Sequence, residues 1–423
     1  MNPLYNAGIH LYSMAAGIAA MRNKKVKRML AGQSETSGRL KKYRSELAPD
    51  GFDVWFHVAS LGEFEQARPL IEALLSEHPE MSILLSFFSP SGYEVRHNFN
   101  PRVAVVYLPF DTPSKVRRFL DEAAPKKAVF VKYEFWGNYL SELSERRIPT
   151  YLVSAIFRQK QIFFRPWGET FRKILRKFDH LYVQDDNSAR LLKTIGITNT
   201  TVAGDTRFDR VAAICKAGKQ VSEIDKFIAA TPGSLTFVAG SSWPADENLY
   251  IPWLLAHPDC RGIIAPHEFD SSRLESLKKR LGSAMLLSEL TDRLKNCETF
   301  PDLNSIRYII VDCFGLLSSL YRYADIAYIG GGFGAGIHNI NEAATYSVPV
   351  IFGPNNHKFK EASDLISCGG GFCIADEKSL GACLDRLTSD SSTLATAGSA
   401  AGKYISDNIG ASRLILSDLF GIR

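Results

Sequence analysis

The chain has 423 residues, enough for two domains that each bury a core. Hydrophobic residues make up 45% and charged residues 22%, the balance of a folded globular protein, which excludes a disordered or fibrous chain. A net charge of +5 is too weak to argue for nucleic acid. Seven scattered cysteines (Cys215, Cys260, Cys297, Cys313, Cys368, Cys373 and Cys383) contain no CxxC pair, and nine dispersed histidines contain no HExxH. They fit reduced thiols in a cytosolic setting, and no cluster has the spacing of a metal site.

In chain order, Leu4 to Met21 is largely apolar, interrupted by Asn6, His10 and Ser13, and Lys24, Lys25, Lys27 and Arg28 come directly after it. As a helix it would extend roughly 27 Å, slightly short of a hydrocarbon core. Charge after the apolar run is the reverse of a signal peptide, and it would keep the remaining chain in the cytoplasm. Residues 1–30 read as a membrane anchor or a helix in the plane of the interface. An ordinary soluble helix and a cleaved signal are the alternatives, and spanning is not separable from lying flat at this apolarity.

From Asp53 onward, short apolar runs alternate with amphipathic segments. The runs are Val54–Val58, Ile83–Leu85, Val103–Tyr107, Ala128–Val131, Tyr151–Val153 and His180–Val183, and Val202-Ala203-Gly204 closes the set. Stretches such as 67–75 and 114–122 between them have helical character. This is the pattern of βαβ units around a parallel sheet, assigned to 31–210. Residues 211–233 carry no strand and read as a helical linker. A second set of runs occupies 234–400: Leu235–Ala239, Gly262–Ala265, Ala284–Leu287, Tyr308–Val311, Ile326–Ile329 and Val348–Phe352. Two Rossmann-like halves imply a ligand cleft between them, at the carboxyl ends of strands. The last segment, 401–423, is amphipathic and could pack back on the first half.

Chemistry-bearing residues cluster just after these strands. Glu63, in Ser60-Leu61-Gly62-Glu63, could act as a general base on an acceptor hydroxyl. Ser-x-x-Glu equally fits a capping box, and the two uses compete. Glu134 sits between Tyr133 and Phe135-Trp136, where partial desolvation raises a carboxyl pKa; an aromatic surface loop is the alternative. Arg207, in Gly204-Asp205-Thr206-Arg207, fits either an anionic ligand or a surface salt bridge. Ser241 and Ser242 could face a phosphate or cap a helix. His267 reads as a phosphate or base contact or as a plain loop residue.

The longest signal is Gly330-Gly331-Gly332-Phe333-Gly334-Ala335-Gly336-Ile337-His338-Asn339-Ile340-Asn341-Glu342, between a strand and a helix start. Such a segment presents backbone N–H groups to an anion and lets a ligand approach closely, and Glu342 could accept from a ribose diol. A tight turn is the simpler reading. The spacing is neither GxGxxG in a first βαβ unit nor a Walker-type loop.

Taken together and in this order, the blocks resemble the 3-deoxy-D-manno-octulosonic acid (Kdo) transferases, CMP-Kdo-dependent enzymes of lipopolysaccharide assembly. The resemblance runs from Arg39 to about Leu365. His57-Val58-Ala59-Ser60-Leu61-Gly62-Glu63 is similar to the family's SxGE block, and Tyr133-Glu134-Phe135-Trp136-Gly137-Asn138 to its TE-hydrophobic-WPN block. Gly204 to Asp209, Gly240 to Pro244, Pro266-His267-Glu268 and Gly330 to Pro354 fit the others. Tyr133 stands where the family usually has Thr, Gly137 where it has Pro, and Asn339-Ile340-Asn341-Glu342 where it has an NPLE-like run.

The resemblance implies a GT-B glycosyltransferase at the cytoplasmic face of the bacterial inner membrane, inverting, with no metal or cofactor and no nucleic-acid partner. CMP-Kdo would be the donor and a lipid A precursor the acceptor. Glu63 would be the general base and Glu134 a supporting acid, with Ser60, Gly62, Trp136 and Asn138 on the acceptor side. Arg207, Ser241, Ser242, His267, Gly331, Gly332, Asn339 and Glu342 would bind the donor. Competing readings are another GT-B enzyme (a UDP-sugar transferase or epimerase) and a non-catalytic membrane-associated nucleotide-binding protein.

Overall fold

A computed structural model describes residues 3–218, 220–295 and 303–422, so Cys297 lies outside the described residues. Contacts divide the chain into two compact units, Met1–Arg210 with Ile409–Arg423, and Val211–Asn408.

The first unit holds a seven-stranded sheet in the order β3-β2-β1-β4-β5-β6-β7, every pairing parallel. Its strands are β1 (Val54–Val58), β2 (Ile83–Phe87), β3 (Val103–Tyr107), β4 (Ala128–Val131), β5 (Thr150–Ala155), β6 (His180–Val183) and β7 (Thr200–Val202). Continuous apolar runs suit this sheet because helices cover both faces. Alternate residues of β1 divide between two cores. Trp55 packs with Leu84, Phe130 and Leu140, whereas Val54, Phe56 and Val58 pack with Leu70, Ile415 and Leu419. The last two belong to the helix Ala411–Phe420, whose start is fixed by Asp209 accepting from the Gly410 and Ser412 N–H groups at 2.5 and 2.7 Å.

Three helices of this unit border its sequence-predicted site or carry part of it: α1 (Pro3–Ala19), α2 (Lys24–Leu47) and α3 (Leu61–Glu77). Among the described residues no helix is long and apolar enough to cross a membrane. On α1 only Ala16 is buried, and Leu4, Leu11, Met14 and Ile18 are 66–80% exposed. Their spacing places them along one stripe of the helix.

The second unit holds a parallel seven-stranded sheet in the order β10-β11-β9-β8-β12-β13-β14. Its strands are β8 (Leu235–Ser242), β9 (Cys260–Pro266), β10 (Ala284–Leu286), β11 (Tyr308–Ile310), β12 (Ile326–Ile329), β13 (Val350–Phe352) and β14 (Gly371–Cys373). Only β14 was not expected: three residues after a glycine pair give too short an apolar run. The stretch 211–233 forms two helices, Thr206–Ala217, which begins before it, and Ser222–Ala230.

Candidate active site

Each sheet has a reversal point beside its first strand, where neighbouring loops leave in opposite directions and open a crevice at the carboxyl ends; the second sheet also has β11 inserted between β10 and β9 near its edge. In the first sheet this point lies between β1 and β4. The β1 exit carries Ser60, Gly62 and Glu63, and the β4 exit carries Glu134 and Trp136. Lys132, directly after β4, adopts φ +64, a left-handed conformation that turns the chain sharply into the Glu134 loop.

Glu63 stands in the first turn of α3, where its Oε2 accepts from the N–H groups of Ala59 (2.6 Å) and Ser60 (3.1 Å). The carboxylate half of the capping box is therefore formed. Its carboxyl is nevertheless pushed up to about 7, first by burial and then by the charge of Glu134, against the Ala59 N–H, Lys132 and the Ser60 N–H. A cap and a carboxyl raised toward neutrality thus coexist in one residue.

Glu134 is buried and accepts at Oε2 from Trp136 Nε1 (2.6 Å), and His57 Nε2 lies 2.9 Å from the same oxygen. His57 is itself fully buried on β1, opposite Ser86 of β2 in the parallel register. Its Nδ1 is 2.9 Å from Ser86 Oγ, which accepts from Trp55 Nε1 at 2.8 Å. Trp136 also packs on Phe88, with ring centroids 4.8 Å apart.

Behind this pair lies a second buried acid, Asp111. It accepts from Tyr5 Oη (2.6 Å) on α1 and from the N–H groups of Asn138 (3.0 Å) and Tyr139 (2.9 Å), which begin the helix Gly137–Glu145. Burial pushes the Asp111 carboxyl up to about 6, against these donors and the field of His57. Asn138, expected on the acceptor side, is instead buried, donating to Asn6 Oδ1 of α1 (2.9 Å) and to the Asp111 carbonyl. Arg207 holds Asp205 through Nε (2.9 Å) and Nη2 (2.7 Å). Asp205 is buried, also accepts from Gln66, and is kept below the usual carboxylate range by Arg207 despite its burial.

In the second sheet the reversal lies between β8 and β12. Here the backbones of the two exits touch. A Cβ on Gly330 would stand 2.2 Å from the Ser241 carbonyl oxygen, which only glycine permits, and Gly332 packs directly on the Gly353 backbone. Ser241 is left-handed (φ +51), and the register between β8 and β9 shifts there. Asp246, fully buried, ties the exits together: it accepts from the N–H groups of Trp243 (2.9 Å) and Gly331 (3.0 Å) and from Tyr328 Oη (2.8 Å). Trp243, His267 and His338 form a stack of rings, with successive centroids 4.5 and 4.6 Å apart. Burial, then His267, holds His338 below the usual imidazole range.

Several expectations change at this end. The Gly331 N–H is committed to Asp246, and those of Gly330, Gly334 and Gly336 bond to carbonyls at 2.9–3.1 Å, so these four do not offer themselves to an anion. The helix after the glycines, Asn341–Ala344, has four residues, too short for an appreciable dipole. Ser242 is fully buried, with its Oγ 3.3 Å from Glu247 and accepting from Tyr250. Asn339, Glu342 and His267 remain at the surface of this end, and Asn339 donates to Glu342 at 3.0 Å. Asn341 is fully buried with neither carboxamide atom bonded to protein.

Sequence reasoning missed His57, Ser86, Asp111, Asp246 and the partnership of His338. A polar residue inside an apolar strand run, as at His57, was the available signal.

Comparison with known proteins adds to this geometry. The pattern of the 3-deoxy-D-manno-octulosonic-acid transferase (kdotransferase) family matches residues 24–210. A 3-deoxy-D-manno-octulosonic acid transferase of Aquifex aeolicus is 28% identical over 344 residues, 79% of this chain and 86% of that protein. One from Bordetella pertussis is 28% identical over 345 residues, 78% of each. Among solved structures, the UDP-GlcNAc 2-epimerase of Neisseria meningitidis bound to UDP-GlcNAc aligns with a TM-score of 0.59 at 12% identity. That alignment covers 87% of this chain and 99% of the epimerase, and it shows a shared GT-B-like fold alone.

Proposed function

We propose that this chain is a member of the 3-deoxy-D-manno-octulosonic-acid transferase family of glycosyltransferases and moves Kdo from CMP-Kdo to a hydroxyl of a lipid A precursor, with Glu63 as the base. The observation that carries the reading is the pair of acids at the first reversal point, with Glu63 pushed up to about 7. A carboxylate with that value holds a proton about as well as it releases one near neutrality, which suits general-base catalysis. Glu63 takes the acceptor hydroxyl proton as the oxygen bonds to the anomeric carbon, and the bond from that carbon to the CMP phosphate oxygen breaks. Attack opposite the leaving group inverts the centre. CMP departs as a phosphate monoester, so no diphosphate charge calls for a metal.

The second reversal point supplies the donor side. The Trp243–His267–His338 stack offers aromatic faces and imidazole N–H groups for the nucleotide, with Asn339 and Glu342 at its edge. We place α1 in the plane of the inner membrane's cytoplasmic face: its apolar stripe is exposed, and Arg22, Lys24, Lys25 and Lys27 beside it are exposed cations for anionic lipid. Through Tyr5 and Asn6 the same helix is bonded to the elements that carry Glu134.

The test is incubation of the purified protein with CMP-Kdo, with and without a tetraacyl lipid A precursor. The expected result is acceptor-dependent CMP release and a lipid whose mass has grown by whole Kdo units. No such product from a folded protein, or transfer from a UDP-sugar instead, overturns the reading.

A further inference from the structure

His57 is fully buried beside the paired acids, and both of its ring nitrogens have partners. An indole nitrogen only donates, so Trp55 Nε1 makes Ser86 Oγ an acceptor at 2.8 Å. The Ser86 proton is then free to point at His57 Nδ1, 2.9 Å away. Nδ1 also lies 3.2 Å from the Ser86 carbonyl oxygen, which takes an Nδ1 proton when one is present; on the other edge of the ring Nε2–H donates to Glu134 Oε2 at 2.9 Å. Trp136 Nε1 donates to the same oxygen at 2.6 Å. The chain Trp55, Ser86, His57, Glu134 is thus bonded from end to end.

We propose that His57 is a positioning residue of the transfer: by donating Nε2–H to Glu134 Oε2 it fixes that carboxyl group beside Glu63, leaving Glu63 as the member that exchanges a proton. The role rests on the reading of Glu63 as the base. Two carboxyls whose surroundings differ divide acid and base work between them. Here one carboxyl takes two side-chain N–H donors on one oxygen, and the other takes two backbone N–H groups while facing its neighbour's charge. The other charged or titratable groups that face the pair are Lys132 and Tyr133 at the β4 exit and Asp111 behind His57; Arg158, Arg207 and Asp205 act on Tyr133.

The test compares His57→Gln, which keeps a donor at the Nε2 position, with His57→Phe, which removes it, and with Glu134→Gln. Acceptor-dependent turnover is followed from pH 5.5 to 9. In His57→Phe and Glu134→Gln the acid limb of kcat moves to lower pH by about one unit, because Glu63 no longer faces a fixed charge. Both lose about 10-fold or more in kcat with little change in the KM for the donor, and His57→Gln keeps the wild-type limb. A wild-type profile in His57→Phe, or equal defects in all three, overturns the proposal. Should His57→Phe not fold, 15N NMR of the imidazole in the wild-type protein decides alone. A proton on Nε2 at pH 7, hydrogen-bonded to the Glu134 carboxyl group, is expected; an Nε2 that carries none overturns it. The NMR result is independent of activity, so failure of the transferase reading and failure of this one are distinguishable.

Discussion

The first sheet's reversal point brings side chains together, and the second's brings backbone together. After β1 and β4 the crevice is made of acids, an imidazole and indoles linked by named hydrogen bonds. After β8 and β12 it is made of glycines in contact with carbonyls, closed by one buried aspartate. A proton-transfer site needs groups of tuned basicity, which only side chains supply. A nucleotide site needs shape and flat faces, which glycines and stacked rings supply. The two ends should therefore fail differently when altered, and four experiments sharpen or break that contrast.

The largest effect is expected at Glu63. Its folded-state value lies above the ordinary 4.5, so ionising it in the fold is unfavourable, and stability is lost as pH rises through about 7. Glu63→Gln should therefore raise Tm at pH 8, by up to about 3 kcal/mol of stability, and change little near pH 4. Equal Tm shifts at both pH values would contradict the assigned burial.

Next is the apolar stripe of α1. Leu11→Asp with Ile18→Asp should cut binding to anionic vesicles by about 10²-fold, judged by sedimentation, with the fold intact. Unchanged sedimentation would remove α1 from the interface.

At the second reversal point the effects should be steric. Gly330→Ala would drive a Cβ against the Ser241 carbonyl, and about 2 kcal/mol of stability should go together with the thermal shift produced by CMP. Retained CMP stabilisation would show that the close approach is not needed.

Asn341→Leu is the smallest and has the opposite sign. Removing a buried carboxamide without a protein partner should stabilise the chain by about 1 kcal/mol, read by urea unfolding. Destabilisation would reveal a bound water or ligand that Asn341 serves.

Legibility in the sequence divides along the same line. Most strands were legible, because strands buried on both faces read as continuous apolar runs; β14 was not, because Gly371-Phe372-Cys373 is too short to stand out, and β7, expected at Val202-Ala203-Gly204, lies at Thr200–Val202, a partly exposed edge strand with two threonines and no apolar run. Glu63 and Glu134 were legible because each follows a strand closely, where open α/β sheets place their sites. His57 was hidden inside an apolar run, and its partners Ser86 and Glu134 stand 29 and 77 residues away in sequence. The glycines announced a close approach correctly, but the destination of the Gly331 N–H is set by Asp246, whose distance along the chain no local pattern reports. Asn138 and Ser242 were assigned to ligands from their place in a block; burial turns both toward protein partners.

Proton transfer to Glu63 is tested by acceptor-dependent CMP release in Glu63→Gln, beside the wild type, at saturating CMP-Kdo and tetraacyl lipid A precursor. The expected result is a loss of about 10²-fold or more in kcat from a protein that is at least as stable and is still stabilised by CMP. Release at the wild-type rate from that protein would contradict it.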